Sequence, residues 1–152
     1  MYRSILTRFG LVVALVARFV ATAHAADYVV LVNADNPLLD SGANAQETVK
    51  RLFLKELTSW PGGVAAKPLG RTKASPAHAA FVAKVLGMSE SELETHWLRL
   101  KQTRGETPPR EVGSTLILFR QIARDPGAFA PATAEEALDA PPETAVLFRF
   151  SD

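Results

Sequence analysis

Short β-branched runs alternate along this chain with longer segments whose apolar residues recur every three or four positions. Residues 28–33 read YVVLVN and end near Asn36-Pro37, which predicts a buried strand followed by a turn. Asn44 and Glu47 have capping-box spacing, and Val49, Leu52, Phe53 and Leu57 follow at helical intervals, predicting a helix over residues 45–57 that Pro61-Gly62-Gly63 terminates. Residues 64–69 (VAAKPL) predict a second strand, with Pro68 confining it to a sheet edge or to the strand's end. Ser75-Pro76 opens the next helix, in which Ala80, Phe81 and Val85 form the apolar face and Gly87 the stop. Ser89 with Glu92 caps a third helix striped by Leu93, Trp97 and Leu100, broken by Gly105 and Pro108-Pro109. Ser114 caps a fourth, carrying Leu116, Ile117, Phe119, Ile122 and Ala123 up to Pro126-Gly127. A short helix from Thr133 and a strand over residues 145–150 complete an α/β pattern, a small and partly parallel sheet covered by helices.

The first 25 residues stand apart from that pattern. Arg3 and Arg8 precede an apolar run from residue 11 to 17, and Ala23-His24-Ala25 has the small residues of a cleavage site, so residues 1–25 read as a secretory signal peptide and residues 26–152 as one domain. Arg18 interrupts the run, which is too short and broken for a membrane anchor of about 20 apolar residues. With 152 residues, 47% hydrophobic and 22% charged, the chain has room for one globular domain and not for two. Cleavage takes three of the 17 basic residues and no acid, leaving 14 against 16 and a net charge of −2. A slightly acidic domain argues against nucleic acid as a partner, because that affinity rests on clustered Lys and Arg. The absence of cysteine excludes a disulfide framework, thiolate zinc sites and a cysteine nucleophile.

From Tyr28 onward the order of landmarks resembles the periplasmic substrate-binding-protein-like superfamily, in particular the phosphate-binding branch of the ABC-transporter solute receptors. Four stretches carry the resemblance: VNADNPL at 32–38, RLFLKELTSWPGG at 51–63, ASPAHAAFVAKVLGMSESELETHWLRL at 74–100, and RGETPPREV at 104–112 followed by ARDPGAF at 123–129. The fold it implies is a single periplasmic-binding-protein-like lobe of type 2, a small mixed sheet covered by helices. It also implies a periplasmic protein of phosphate ABC transport, binding phosphate or a similar small oxyanion at a helix N-terminus, with an ABC permease or another periplasmic protein as partner. Two departures stand out. Lys55 occupies a position where the family usually has glycine, and Ala130-Pro131 stand where it continues with a glycine-tyrosine pair, so no tyrosine contact carries over.

In the phosphate receptors the loop corresponding to residues 75–78 reads Ser-Gly-Thr-Arg at a helix start, where unpaired amides and the helix dipole embrace the oxyanion. This chain has Ser75, Pro76, Ala77 and His78. Proline deletes a donor, alanine a hydroxyl, and histidine replaces a permanent cation, while Arg71 and Lys73 upstream restore charge. The candidate anion site is therefore Ser75, Ala77, His78, Arg71 and Lys73, and a plain helix cap at Ser75 is the competing reading. A receptor that traps ligand between two lobes has a second wall that one lobe lacks. That deficit, with the depleted loop, motivates the alternative of a periplasmic interaction module that keeps the fold and binds no ligand.

Other chemistry finds little support. There is no G-x-S-x-G elbow, and nothing near Ser75 in the sequence identifies an acid to orient His78, so the expectation is a non-enzyme without cofactor. His78 and His96 have no metal-ligand spacing. Trp60 and Trp97 read as packing residues. Arg99, Lys101, Arg104 and Arg110 read as a solvated face, and a partner or anion contact there is the other possibility. Glu135-Glu136 fall in a first helical turn, where the dipole favours them.

Overall fold

The computed structural model describes residues 27–41 and 44–152; the leader expected over residues 1–25 lies outside them. Five strands form one sheet: β1 (Asp27–Asn33), β2 (Lys67–Gly70), β3 (Arg110–Glu111), β4 (Ala128–Thr133) and β5 (Thr144–Ser151), in the order β3-β2-β4-β1-β5. β2 runs parallel to β3 and β4, and β1 runs antiparallel to β4 and β5, so the sheet is mixed. β1 is buried on both faces. Val30 and Val32 point into a core built with α1 (Ala45–Phe53), the turn Phe81–Leu86 that follows α2 (Pro76–Ala80), and α3 (Glu90–Arg104), whereas Val29 and Leu31 point into a second core under α4 (Thr115–Arg124) and α5 (Ala134–Ala137). Three layers result, helices on both faces of a sheet, as the strand–helix alternation predicts.

Local signals set the helix starts. Asn44 accepts from the Glu47 amide at 3.1 Å, Ser89 and Glu92 form the full reciprocal box, and Ser114 accepts from the Ile117 amide at 3.3 Å. α2 continues without a break into a π-helical turn, Phe81–Leu86, and Gly87 ends it with φ 66°.

Several expectations need correction. α1 stops at Phe53 rather than Leu57, because Lys55 adopts φ 58°. The Lys55 amide donates to the Leu52 carbonyl at 3.2 Å and the Glu56 amide to the Arg51 carbonyl at 2.9 Å, the paired bonds of a Schellman motif. The left-handed backbone that glycine takes freely is thus retained here by a lysine, whose Nζ is anchored 2.9 Å from Glu106 Oε2. The second strand begins at Lys67, since residues 60–63 form a turn in which the Trp60 amide donates to the Val64 carbonyl. It is interior rather than an edge, and of the two expected placements for Pro68 the strand's end applies: it is the second residue, before pairing with β3 begins at Leu69. On α4 the buried face is Leu118, Phe119 and Ile122, while Leu116 and Ile117 are 59% and 47% exposed. The two-residue strand β3 had no periodic signal.

Both tryptophans pack. Trp60 lies edge-on to Phe129 and donates from Nε1 to the Gly127 carbonyl at 2.9 Å; Trp97 packs against Phe53. Gly127 is required by close approach, because a Cβ there would lie 1.8 Å from the Ala65 carbonyl oxygen.

Candidate functional site

Parallel strands β2 and β3 end side by side, and ligands of α/β folds settle outside such carboxyl ends. β2 finishes at Gly70, so Arg71 is the first residue beyond the sheet. Its neighbours across the gap are Pro108, Pro109 and Glu111, around β3. A cavity of about 60 Å³ opens there, with Arg71, His78, Glu90, Glu111 and the Trp97 ring on its walls.

Arg71 is the strongest feature of this cavity. The residue is 3% exposed, and its Nη2 donates to Glu136 Oε1 at 3.0 Å. Its Nε and Nη1 are buried without a hydrogen-bond partner among the described residues. The Glu136 carboxylate is itself fixed by the α5 capping box, accepting from the Thr133 amide at 3.1 Å, and by the Thr115 hydroxyl at 3.4 Å. Arg71 is therefore held from behind by the starts of α4 and α5 while two of its nitrogens remain unsatisfied. A buried donor in that condition costs about 1–3 kcal/mol, and more on a charged group.

The other basic side chains are engaged. Lys73 is 60% exposed on its side chain and bridges Glu90, at 3.4 Å, and Glu94. His78 Nε2 lies 2.8 Å from Glu90 Oε2. Burial raises the Glu90 carboxyl, but the His78 hydrogen bond, and after it the Lys73 contact, outweigh this and hold it below its ordinary value. An acid that engages His78 thus exists, contrary to the sequence expectation; twelve residues and a separate helix hide it.

Ser75 stands at the N-cap of α2, yet its hydroxyl caps nothing: Oγ is buried without a partner, and the His78 amide donates to the Ser75 carbonyl instead, at 3.0 Å. The plain helix-cap reading fails on this point. Ala77 is fully buried beside Tyr28 and Ala80 and presents nothing to a ligand. Of the five residues singled out, Arg71 and His78 share the cavity, and Lys73, Ser75 and Ala77 lie outside its lining. Sequence reasoning missed Glu90, Glu111 and Glu136. Glu136 was legible as a helix-start acid, but its partner lies 65 positions away. Among the described residues no group of three or more His, Cys, Asp and Glu is placed to hold a metal. The Ser75 hydroxyl makes no bond to the His78 imidazole, so these two residues do not form a nucleophile–base pair.

No protein-family model matches the chain, and no curated protein matches it. Solved structures do. An ABC-type phosphate transport receptor from Vibrio cholerae superposes with a TM-score of 0.57 at 13% identity, covering 80% of this chain and 46% of the receptor. A putative phosphate ABC transporter substrate-binding protein with bound phosphate, from Clostridium perfringens, gives 0.59 at 13% identity over 80% of this chain and 44% of its own. A possible phosphate binding protein from Planctomyces limnophilus gives 0.56 at 10% identity over 80% and 41%. At such identities the likeness is one of fold. This chain has the fold of the periplasmic-binding-protein-like receptors, and it spans less than half the length of each.

Proposed function

We propose that the chain is an exported, non-catalytic binding domain that takes a small oxyanion, phosphate foremost, in the cavity beside Arg71. One observation carries the reading: a guanidinium buried to 3% exposure leaves two nitrogens without acceptors at the carboxyl end of parallel strands. An oxyanion supplies the acceptors, and charge-assisted bonds to a guanidinium buried this deeply are stronger than the same bonds in water. The fold supports the reading, since its neighbours are phosphate receptors and binding proteins. The cavity, about 60 Å³, suits a small ligand.

The walls refine the choice of anion. Glu90 and Glu111 repel a fully ionised ligand but accept a hydrogen bond from one that retains a proton. Hydrogen phosphate has that proton at neutral pH and sulfate does not. The ligand centre is thus moved from the helix amides to Arg71, with His78 and Glu90 as its flank and Lys73 and Ser75 as surroundings. Export rests on the leader of residues 1–25. An ABC permease or another periplasmic protein is the partner expected of such a domain. No helix among the described residues is long and apolar enough to cross a membrane.

Calorimetric titration of the purified protein tests this. Phosphate is expected to bind at millimolar concentration or below and sulfate to give no heat; silence with both ligands, or equal response to both, removes the proposal. The alternative, an interaction module without ligand, is favoured by the exposure of Leu116, Ile117 and, at 84%, Leu138. It requires one crosslinked partner, recovered equally with and without phosphate.

A further inference from the structure

The apolar stripe of α4 is wider than the sheet covers. Phe119 is buried, but Leu116 is exposed and Ala123 half-buried, and all three follow one side of the helix at spacings of three and four to border a groove. The groove lies between α4 and residues 138–143, the segment that joins α5 to β5, and Pro141 continues its apolar wall there. Its volume is about 490 Å³, and small-molecule sites span about 300–1,000 Å³. It shares no lining residue with the Arg71 cavity.

The two walls carry opposite charge. Arg120 and Arg124 stand one turn apart on α4, and Asp139 and Glu143 line the groove from the other side. All four residues are exposed, and none of their side chains forms an ion pair among the described residues, across the groove or elsewhere. Two like charges four positions apart weaken a helix slightly. The helix dipole favours a cation in the last turn, which accounts for Arg124 alone. Neither effect accounts for two acids set beyond an apolar floor from two arginines.

We infer that this groove binds a short apolar peptide with free ends, two or three residues long, whose carboxylate meets Arg120 and Arg124 and whose ammonium group meets Asp139 and Glu143. A fatty acid would fill the apolar floor but leave the acidic wall unmatched. The protein's own charges stand too far apart to pair, so a ligand that satisfies both walls carries its charges apart as well. A peptide of two or three residues separates its ends by up to about 7–11 Å, whereas a single amino acid holds both charges on one carbon. Exposed ion pairs contribute little each, so the affinity is modest, in the millimolar to high micromolar range. The site does not depend on the oxyanion reading.

Amide chemical-shift titration of the purified protein with the tripeptide Leu-Ala-Leu tests this, with thermal unfolding confirming that each variant is folded. Shifts should concentrate on α4 and residues 138–143 and saturate at millimolar peptide. Acetylating the peptide's amine should weaken binding about fivefold in the wild type and leave it unchanged in an Asp139→Asn, Glu143→Gln variant. Amidating its carboxylate should do the same in the wild type and nothing in an Arg120→Gln, Arg124→Gln variant. Absence of shifts at the groove overturns the inference, as does a doubly blocked peptide that binds the wild type as well as the free one, or free leucine that binds as tightly as the tripeptide. Blocking that weakens binding equally in the wild type and the variants overturns the assigned contacts. Phosphate titrated alongside reads the Arg71 cavity separately, and both variants should keep the wild-type response to it.

Discussion

Replacing Arg71 by methionine separates a ligand residue from a structural strut. Methionine keeps most of the apolar stem in place while removing the guanidinium. Deleting two buried, unpartnered donors returns roughly 2 to 6 kcal/mol, and losing the bond to Glu136 costs about 1.5 to 3. Glu136 is not stranded by the change: its side chain is 26% exposed and keeps the Thr133 amide and the Thr115 hydroxyl. The net effect runs from about 1 kcal/mol of loss to about 4.5 of gain, so Tm stays near the wild-type value or rises by several degrees. A guanidinium whose role is to hold the fold gives the opposite sign, since breaking a buried pair costs about 3–5 kcal/mol. Thermal unfolding with and without phosphate reads both quantities. At one hundred times its dissociation constant phosphate adds about 2.7 kcal/mol to the wild type, and it should add nothing to Arg71→Met. A variant that loses about 3 kcal/mol or more, as a broken buried pair does, and still responds to phosphate would refute the reasoning.

Two further outcomes test the packing and the surface electrostatics. Gly127→Ala should lower the denaturation free energy by about 3 kcal/mol or more, because the new methyl meets the Ala65 backbone at 1.8 Å and neither wall is a movable side chain; urea unfolding that matches wild type would mean the turn at residues 60–65 is not held there. Glu90 and Glu92 both titrate below their ordinary value of 4.5 in the folded chain, Glu92 chiefly through the Ser89 amide. A depressed carboxyl contributes stability that is complete above its unfolded value and lost as pH falls through the folded one, so the urea midpoint should drop between about pH 5 and pH 3. The drop should be shallower in a Glu90→Gln, Glu92→Gln double variant, and an unchanged acid slope would count against these contacts.

What could be read from residues in order was whatever neighbours in order decide. Strand β1 is legible because residues buried on both faces leave a continuous apolar run, and α3 because Ser89 and Glu92 close their box within four positions. The end of α1 was not legible. Glycine is the usual signal for a left-handed C-terminus, and here a lysine takes that backbone with a tether to Glu106, 51 positions away. α4 shows the same limit from another side. Its sequence offers apolar residues on more than one face, and only the position of the sheet decides that Leu118, Phe119 and Ile122 go in while Leu116 and Ile117 stay out.

The site divides along the same line. By itself the sequence determined that basic residues and a serine gather around a helix start, since Arg71, Lys73, Ser75 and His78 lie within eight positions. Tertiary structure decided which of those groups remain available: α3 brings Glu90 and Glu94 to Lys73 and His78, and α5 brings Glu136 to one nitrogen of Arg71 and leaves two without acceptors. Charge follows composition, but the availability of a charge depends on its neighbours in space, and those neighbours arrive from helices whose placement the sheet controls.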